Sequence, residues 1–343
     1  MADRRVLLCH RAAAAGEKSG DPLAELSARR REGGDSLKFE GITAQGEVCS
    51  LGTPLSVHIS RGAGAPADEL VGEFPWGVLP PLYRLRVSDG ERIVFFGPVD
   101  VQQEKISPKG AFLRVEGRSL AALLLDNEAV PQTYYSPPFS TVFARHAAPY
   151  GFLRYRVPSG TEKIGEFTVT KGMSEWQVLE SFCRRAWSAS PVLQEGDELT
   201  VGGSEENGVL LFGDSVRGLT YLSLTRTRRE YERISELLVR SAKDGRYTVS
   251  LTDEQAQRDG IRRRRCLSAS SAVSAKQVLA NARHKSLEYT LILPGWPDVQ
   301  PGRNAEISDR LLGRAAGLRV WSVEYELDTG GMLCTVTLRR AAE

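Results

Sequence analysis

Apolar and polar residues alternate with a period of two along much of the chain after residue 36. Two groups of apolar residues show this alternation clearly: Leu55, Val57 and Ile59, and Tyr83, Leu85 and Val87. A period of two is typical of strands that bury one face. Asp89-Gly90 and the run from Ser107 to Gly110 are turn sequences between such stretches. The pattern predicts a meander of antiparallel strands over residues 37–117.

The stretch from Phe112 to Gly151 begins as a strand and then takes on the period of helices. Leu120, Leu123 and Leu124 share one face of a short helix, and Ser140 is placed to cap a second helix that carries Val142, Phe143 and His146. We interpret this stretch as a connection. Its strand closes the first unit, its leucine face is buried under that unit, and His146 is a packed or capping residue.

Residues 166–202 predict a strand, a helix and a second strand. Ser174 and Gln177 have the spacing of a capping box at the start of the helix. The helix presents one apolar stripe, formed by Trp176, Leu179, Cys183 and Ala186. After the helix, the pattern predicts a strand that follows Pro191, a turn at residues 195–197 and a further strand through Leu199 and Val201.

The last third of the chain is again rich in strands. Leu237-Leu238-Val239 suits a helix or a buried strand, and the turn signal at Asp244-Gly245 favours the strand. Ser274 is placed to cap a helix over residues 275–284. Alternating residues on both sides of Asp328 to Gly331 predict a terminal hairpin. The two strand-rich ends show no fixed-period sequence repeat.

The amino-acid composition limits the classes of protein to which this chain can belong. The chain has 343 residues, 41% of them apolar and 26% charged, and a formal net charge of +2, which suits two or three folded domains. Residues 1–36 form an arm, either flexible or with a short helix over residues 22–31. No apolar run is long enough to span a bilayer or to act as an export signal. The five cysteines are widely spaced, which is typical of reduced thiols in a cytosolic product.

The sequence contains no recognisable catalytic, metal or cofactor site. The four histidines are scattered, there is no nucleophile-elbow motif, and the glycine-rich run from Gly62 to Leu70 lacks the lysine of a phosphate-binding loop. Cys183 is expected to be a buried small residue, and Glu205-Glu206 lies in a solvated turn. The candidate functional residues are therefore partner contacts: Arg262, Arg263, Arg264, Arg265 and, in a stiff proline-containing loop, Trp296. With a net charge near zero, the arginine run favours a solvated or protein-facing role over nucleic acid.

Two family resemblances follow from these motifs. Residues 166–202 resemble a LysM sugar-binding module at Phe167, Val169, Gly172, Ser174 and Trp176, although Met173 stands where that family prefers Asp. Residues 37–340 resemble the baseplate hub and tail-tip proteins of contractile phage tails and related injection particles, of the late control protein D type and the type of defective Gram-positive phages. The resemblance is carried by APADEL, Phe95-Phe96-Gly97, EGRS before LLLDNEA, TVFARHAAPYG, FTVTKGMSEWQVLESFC and LILPGWPDVQPGRNAEI.

The second resemblance implies a fold that is mainly β with α+β inserts. Two tube-like antiparallel β-barrel domains, at residues 37–117 and 216–343, would be joined by a helix-bearing peripheral region at residues 118–215. It also implies a non-enzymatic homotrimer, a ring that joins the tail tube protein to the central spike protein and contacts baseplate wedge or sheath proteins. Such a particle would assemble in the bacterial cytoplasm, and nucleic acid would meet the ring only by passing through its lumen. The alternatives are a cell-wall-binding tail protein that uses the LysM-like module and a hub fused to a cell-wall hydrolase.

Overall fold

A computed structural model describes residues 37–64, 66–108, 110–158, 164–187, 189–193, 198–201, 208–213, 218–268 and 274–340. Most of this part of the chain is antiparallel β-structure with helix-bearing inserts, which confirms the predicted fold class. None of its helices combines the length and the apolar character that a membrane crossing requires.

The first strand-rich unit contains seven strands. They are β1 (Leu37–Ile42), β2 (Val48–Ser50), β3 (Ser56–Gly62), β4 (Glu69–Pro75), β5 (Arg84–Asp89), β6 (Arg92–Ser107) and β7 (Gly110–Arg118), in the sheet order β3-β4-β7-β6-β5-β1-β2. The predicted alternation is present, since Val57 and Ile59 of β3 are buried while their neighbours are half-buried. Strand β7 lies between β4 and β6 and joins the two halves of the unit.

The second strand-rich unit contains β13 (Leu210–Gly213), β14 (Ser223–Arg228), β18 (Leu287–Pro294), β19 (Asn304–Asp309), β20 (Gly313–Asp328) and β21 (Gly331–Arg340). Strands β20 and β21 form the predicted terminal hairpin, which turns between Asp328 and Gly331. Val323 and Tyr325 on β20 and Cys334 on β21 are fully buried, as their alternation predicts.

The two strand-rich units share one sheet and one core. Strand β20 pairs with β3, so that 13 strands form a single sheet, and one hydrophobic cluster contains residues of both units. Among the described strands no barrel closes within either unit. We call the β3–β20 pairing the inter-unit junction.

A second core lies in the region between the units. It contains α1 (Ala121–Asp126), β8 (Gln132–Tyr135), α2 (Phe139–His146), β9 (Arg154–Arg156), β10 (Glu166–Val169), α3 (Glu175–Trp187), β11 (Pro191–Leu193) and β12 (Glu198–Val201). The apolar stripe of α3 is buried as predicted. Leu120 and Leu124 are also buried in this second core, where their helix contacts α3 and strand β6 of the first unit.

Two expectations for this region are corrected by the structure. Ser140 does not cap α2, because Pro138 occupies the N-cap position and no side chain caps this helix. Residues 166–202 do not form a self-contained module, because β10 pairs with β8 while β12 pairs with β11 and β9. The structure therefore gives no support to a LysM module. The turn predicted at residues 195–197 lies outside the described residues.

A third, smaller core is inserted between β14 and β18. It contains β15 (Glu236–Arg240), β16 (Tyr247–Thr252), α4 (Glu254–Arg258), β17 (Arg264–Leu267) and α5 (Ala275–Ser286). Strands β15 to β17 form their own sheet, and Leu237 of β15 and Leu279 of α5 belong to the same core. The strand at residues 237–239 and the helix capped by Ser274 are thus confirmed. The sequence did not predict that these strands and this helix form a hydrophobic cluster of their own.

The hairpins β6–β7 and β20–β21 correspond to each other position by position. Ser107 pairs with Gly110 at one turn and Asp328 with Gly331 at the other. Both glycines have positive φ angles, 122° and 110°, a conformation that side-chain-bearing residues rarely adopt.

The match extends into neighbouring strands. Each long strand has a register shift, between Val99 and Val101 in β6 and between Val320 and Ser322 in β20. A glutamate lies opposite an arginine in each unit, Glu69 opposite Arg118 and Glu288 opposite Arg339. The strand that carries the glutamate ends in a proline, Pro75 in β4 and Pro294 in β18. Because bulges are position-specific features of a strand pair, shared shifts indicate a common architecture. Strands β3-β4-β7-β6-β5 are therefore equivalent to β14-β18-β21-β20-β19.

Candidate assembly surface

The inter-unit junction is built by two alternating strands that face the same core. Ile59 lies opposite Tyr325 and Arg61 opposite Val323. All four side chains are buried. Cross-strand pairs of this kind stabilise a sheet through their packing, so the junction belongs to the hydrophobic core.

Arg61 is a charged residue inside this junction, with 4% of its surface exposed. Its guanidinium donates a hydrogen bond to the carbonyl oxygen of Val94, lies 3.3 Å from Asp68 Oδ2 and sits over the ring of Tyr325 at 5.4 Å from the ring centre. A buried charge is tolerated when it is paired and hydrogen-bonded, and these contacts meet that condition. The sequence indicates this burial, because Arg61 follows Val57 and Ile59 at the spacing of two that places a side chain on the inward face of the strand.

Tyr325 links the junction to the loop before β19. Its hydroxyl donates to the carbonyl oxygens of Pro297 at 2.8 Å and Val299 at 3.1 Å. Burial raises the pKa of this hydroxyl well above its ordinary value, so the side chain stays neutral.

Trp296 is part of this buried cluster. It is 5% exposed, its indole N–H donates to the carbonyl oxygen of Glu326 at 3.1 Å, and its ring packs edge-on against Phe39. The expectation that Trp296 contacts a partner is thus corrected: its surface is used inside the chain, where it holds the loop against the shared core.

Arg264 and Arg265 of the arginine run lie on β17, in the sheet that β15 to β17 form, and Arg262 and Arg263 directly precede this strand. Arg262 and Arg265 are exposed, and Arg264 Nε lies 2.5 Å from Glu236 Oε2. Arg263 is half-buried and donates to the carbonyl oxygen of Glu230 at 3.2 Å. The structure brings the four arginines together on one segment but separates them from Trp296.

The described part of the chain contains no group of three or more His, Cys, Asp or Glu side chains that would hold a metal ion. Cys183 is buried, and burial raises its pKa to about 12, so the thiol is protonated and packs as a small residue, as predicted. Glu205-Glu206 lies outside the described residues. The glycine-rich run from Gly62 to Leu70 connects β3 to β4, with no helix after it.

His146 belongs to a buried network between helices. Its Nε2 lies 2.8 Å from the hydroxyl of Tyr134, and its Nδ1 lies 2.5 Å from Glu175 Oε2. The hydroxyl of Tyr150 donates to the other oxygen of Glu175 at 3.1 Å. His146 is 1% exposed, which confirms it as a packed residue. The network ties α2 and α3 to β8.

In the described part of the chain, the open borders of the 13-stranded sheet include those of β14 and of part of β6. Strand β14 ends the order of the 13-stranded sheet and pairs only with β18. Strand β6 pairs with β5 as far as Pro98, so the stretch Val101–Ile106 is bonded on one side only, to β7. Open borders with free N–H and C=O groups are the usual sites of strand addition.

Comparison with known proteins identifies the fold. No protein-family model matches the chain, and no curated protein matches it in sequence. Among solved structures, the 43 kDa tail protein of prophage MuSo2 from Shewanella oneidensis is similar with a TM-score of 0.72 at 14% identity, and the tail protein from Neisseria meningitidis MC58 with 0.68 at 18%. Each comparison covers 89% of this chain and 96% of the other.

A third similar structure is the E. coli c3393 protein, described as a component of the type VI secretion system with structural similarity to T4 bacteriophage tail proteins gp27 and gp5. Its TM-score is 0.50 at 10% identity, over 90% of this chain and 77% of that one. The fold of this chain is therefore the fold of phage tail proteins, in agreement with the resemblance stated from the sequence.

Proposed function

We propose that this protein is a structural hub of a contractile tail baseplate or a related injection particle. In this proposal three copies form a ring that joins the tail tube to the central spike, without catalysis by the chain itself. The observation that carries the proposal is the pair of equivalent strand sets joined at the inter-unit junction. Three such chains present six equivalent units, which fit a hexameric tube on one side and a threefold spike on the other.

The fold neighbours support this proposal. Two are tail proteins, and the third is described as similar to T4 tail proteins gp27 and gp5. The inserted clusters around α3 and α5 would then lie at the periphery of the ring. The exposed Arg262 and Arg265 would meet acidic side chains of wedge or sheath proteins. A lumen that passes DNA is expected to avoid such charge, because attraction to phosphates slows passage.

Light scattering combined with affinity co-purification tests this function. The purified chain is expected to have the mass of three copies and to retain the tube or spike protein of its particle. A chain that stays monomeric and retains neither protein contradicts the proposal. Zymography on cell-wall gels is expected to show no clearing, and a cleared band would contradict the non-enzymatic role.

A further inference from the structure

The first strand-rich unit neutralises a buried arginine at one end of its sheet. Arg61 on β3 lies with its Nε 3.3 Å from Oδ2 of Asp68, the residue before β4. Ser119, the residue after β7, fixes Asp68: the N–H of Asp68 donates to Ser119 Oγ at 2.9 Å, and the N–H of Ser119 donates to the carbonyl oxygen of Asp68 at 2.9 Å. A buried guanidinium thus has a carboxylate that its own unit supplies.

The equivalent end of the second unit lacks this carboxylate. The matched registers of the two strand sets give three counterparts: Arg228 for Arg61, Leu287 for Asp68, and Arg340 for Ser119. The acid is therefore replaced by an apolar residue, and the serine that fixed it is replaced by a second arginine.

Arg228 and Arg340 flank Leu287 on neighbouring strands. Arg228 lies opposite Leu287, and Arg340 is the next residue of β21 after the pair of Glu288 with Arg339. Residues opposite each other in antiparallel strands project from one face, and two strand spacings place these two backbones about 10 Å apart. Both arginines are exposed, and neither guanidinium has a partner among the described residues. We call Arg228 and Arg340 the open arginine pair.

A cleft of about 920 Å³ opens at the open arginine pair, with walls from the second unit and from the third core. Its other charged side chains have partners within the chain. Arg233 lies 2.7 Å from Asp259 Oδ2 and 3.1 Å from Glu230 Oε2, and Arg283 Nε lies 2.7 Å from Asp253 Oδ2. Four arginines and three carboxylates therefore line the cleft, which leaves one positive charge in excess.

We propose that this cleft binds a carboxylate from an acidic segment of a partner protein. The carboxylate lies over Leu287, between the two guanidinium groups, and takes the position that Asp68 has in the first unit. Charge-assisted hydrogen bonds from two guanidinium groups to one carboxylate are among the stronger polar contacts in proteins. The site goes beyond the proposed hub function, because it is present in a single chain as well as in a ring.

The charges of the cleft favour a protein segment over nucleic acid. A nucleic acid brings one negative charge with every phosphate, and Glu230 and Asp259 in the same cleft repel such a series of charges. The excess of one positive charge matches one carboxylate. The volume lies in the range of about 300–1,000 Å³ that is typical of ligand sites, which is enough for a short stretch of polypeptide around that side chain.

Protection from phenylglyoxal, a reagent that modifies arginine, tests the site in the full chain. The probe is the peptide acetyl-Gly-Ser-Asp-Ser-Gly-amide, and its matched control carries Asn in place of Asp. At about 10 mM the Asp peptide is expected to slow modification of Arg228 and Arg340 about threefold or more, as measured by mass spectrometry, which corresponds to a Kd of a few millimolar. Arg265, exposed and outside the cleft, is the internal control whose rate stays unchanged.

Leu287→Asp tests the same geometry without a ligand, because it restores the carboxylate of the first unit. Arg228 and Arg340 are expected to react about threefold more slowly in this variant, and the Asp peptide should protect them no further. Leu287→Asn is the matched control, since it removes the same half-buried apolar side chain but adds no charge. Its arginines should react at the original rate and should still be protected by the Asp peptide.

The remaining outcomes each overturn the proposal. Equal protection by the Asp and Asn peptides, or by neither, excludes a carboxylate site. Protection by inorganic phosphate or a short oligothymidylate but not by the Asp peptide assigns the cleft to phosphate groups. Protection that appears only when the chain self-associates assigns it to a second copy, and faster modification of the peptide-free chain in Glu343→Gln assigns it to residues that follow Arg340.

Discussion

Glu288 on β18 and Glu69 on β4 occupy equivalent positions, but their carboxylates have different surroundings. Glu288 is 8% exposed and accepts hydrogen bonds from Arg229 at 2.8 Å and from Arg339 at 2.9 and 3.0 Å. The hydrogen bond from Arg229 lowers the pKa of Glu288, and it outweighs burial, which raises this pKa. Its counterpart Glu69 is exposed. The alternation along a strand predicts the face on which each of these glutamates lies, but only the folded chain brings Arg229 and Arg339 next to Glu288.

Glu288→Gln is expected to lower the free energy of unfolding by about 2 kcal/mol at pH 7, because two guanidinium groups lose their buried partner. The folded-state pKa of Glu288 lies below its ordinary value of 4.5, so its contribution is complete above that pH and is lost as the pH falls through the folded-state pKa. Urea unfolding of both proteins at pH 7 and at stepwise lower pH measures this, and the two stabilities should converge in acid.

Glu69→Gln is the matched control for this measurement. It changes the equivalent position on an exposed strand end, so its effect should stay within about 0.5 kcal/mol. An equal loss of stability in both variants would show that the buried ion-pair cluster is not the source of the effect.

Helix α3 shows which part of an element is specified locally. Ser174 Oγ accepts from the N–H of Gln177 at 3.2 Å, and Gln177 Oε1 accepts from the N–H of Ser174 at 2.9 Å, as the capping box predicts. For α2 the predicted cap is wrong. The N-cap residue is Pro138, whose backbone is extended, and Ser140 lies inside the first turn of the helix. A capping residue is recognised from the sequence only when the first helical residue is known.

Ser174→Ala is expected to lower the free energy of unfolding of the second core by about 1 kcal/mol, because an orphan N–H group of the helix loses its partner. Hydrogen exchange of the amides in α3 measures this change locally. Ser140→Ala is the control in α2 and should change exchange there by less than about 0.5 kcal/mol. A Ser140 effect as large as that of Ser174 would contradict the assignment of Pro138 as the N-cap.

At the scale of the whole molecule, the inter-unit junction joins the two strand-rich units. Residues of β3 and β20 belong to one hydrophobic cluster with the rest of both strand-rich units, whereas β15 to β17 have a cluster of their own. Segments that share a core tend to open together, and segments with separate cores open independently. The two strand-rich units should therefore respond as one cooperative body.

Ile59→Ala is expected to destabilise both strand-rich units together by about 2–5 kcal/mol, because a fully buried side chain of the junction leaves a cavity. Hydrogen exchange should accelerate equally in β4 and β7 of the first unit and in β18 and β21 of the second. Leu237→Ala, in the third core, is the control and should accelerate exchange mainly in β15 to β17. Acceleration confined to β3 and β4 after Ile59→Ala would contradict a shared core.

The sequence by itself determined the period of the strands, the turns at Asp89-Gly90 and at residues 328–331, and the capped helices α3 and α5. These features depend on residues close together in the chain, where φ preferences, capping hydrogen bonds and alternation act directly. The sequence also carried enough segments of a known pattern for the tail-protein fold to be recognised.

Only the tertiary structure decided which strands are neighbours. Alternation assigns each residue of β3 or β10 to a face, but it does not select β20 or β8 as the partner, since any strand with a matching apolar face satisfies it. The pairing of β3 with β20, the burial of Arg61 and Trp296, and the equivalence of the two strand sets depend on contacts between distant parts of the chain. Long-range packing therefore decided the shared sheet and the borders that it leaves open.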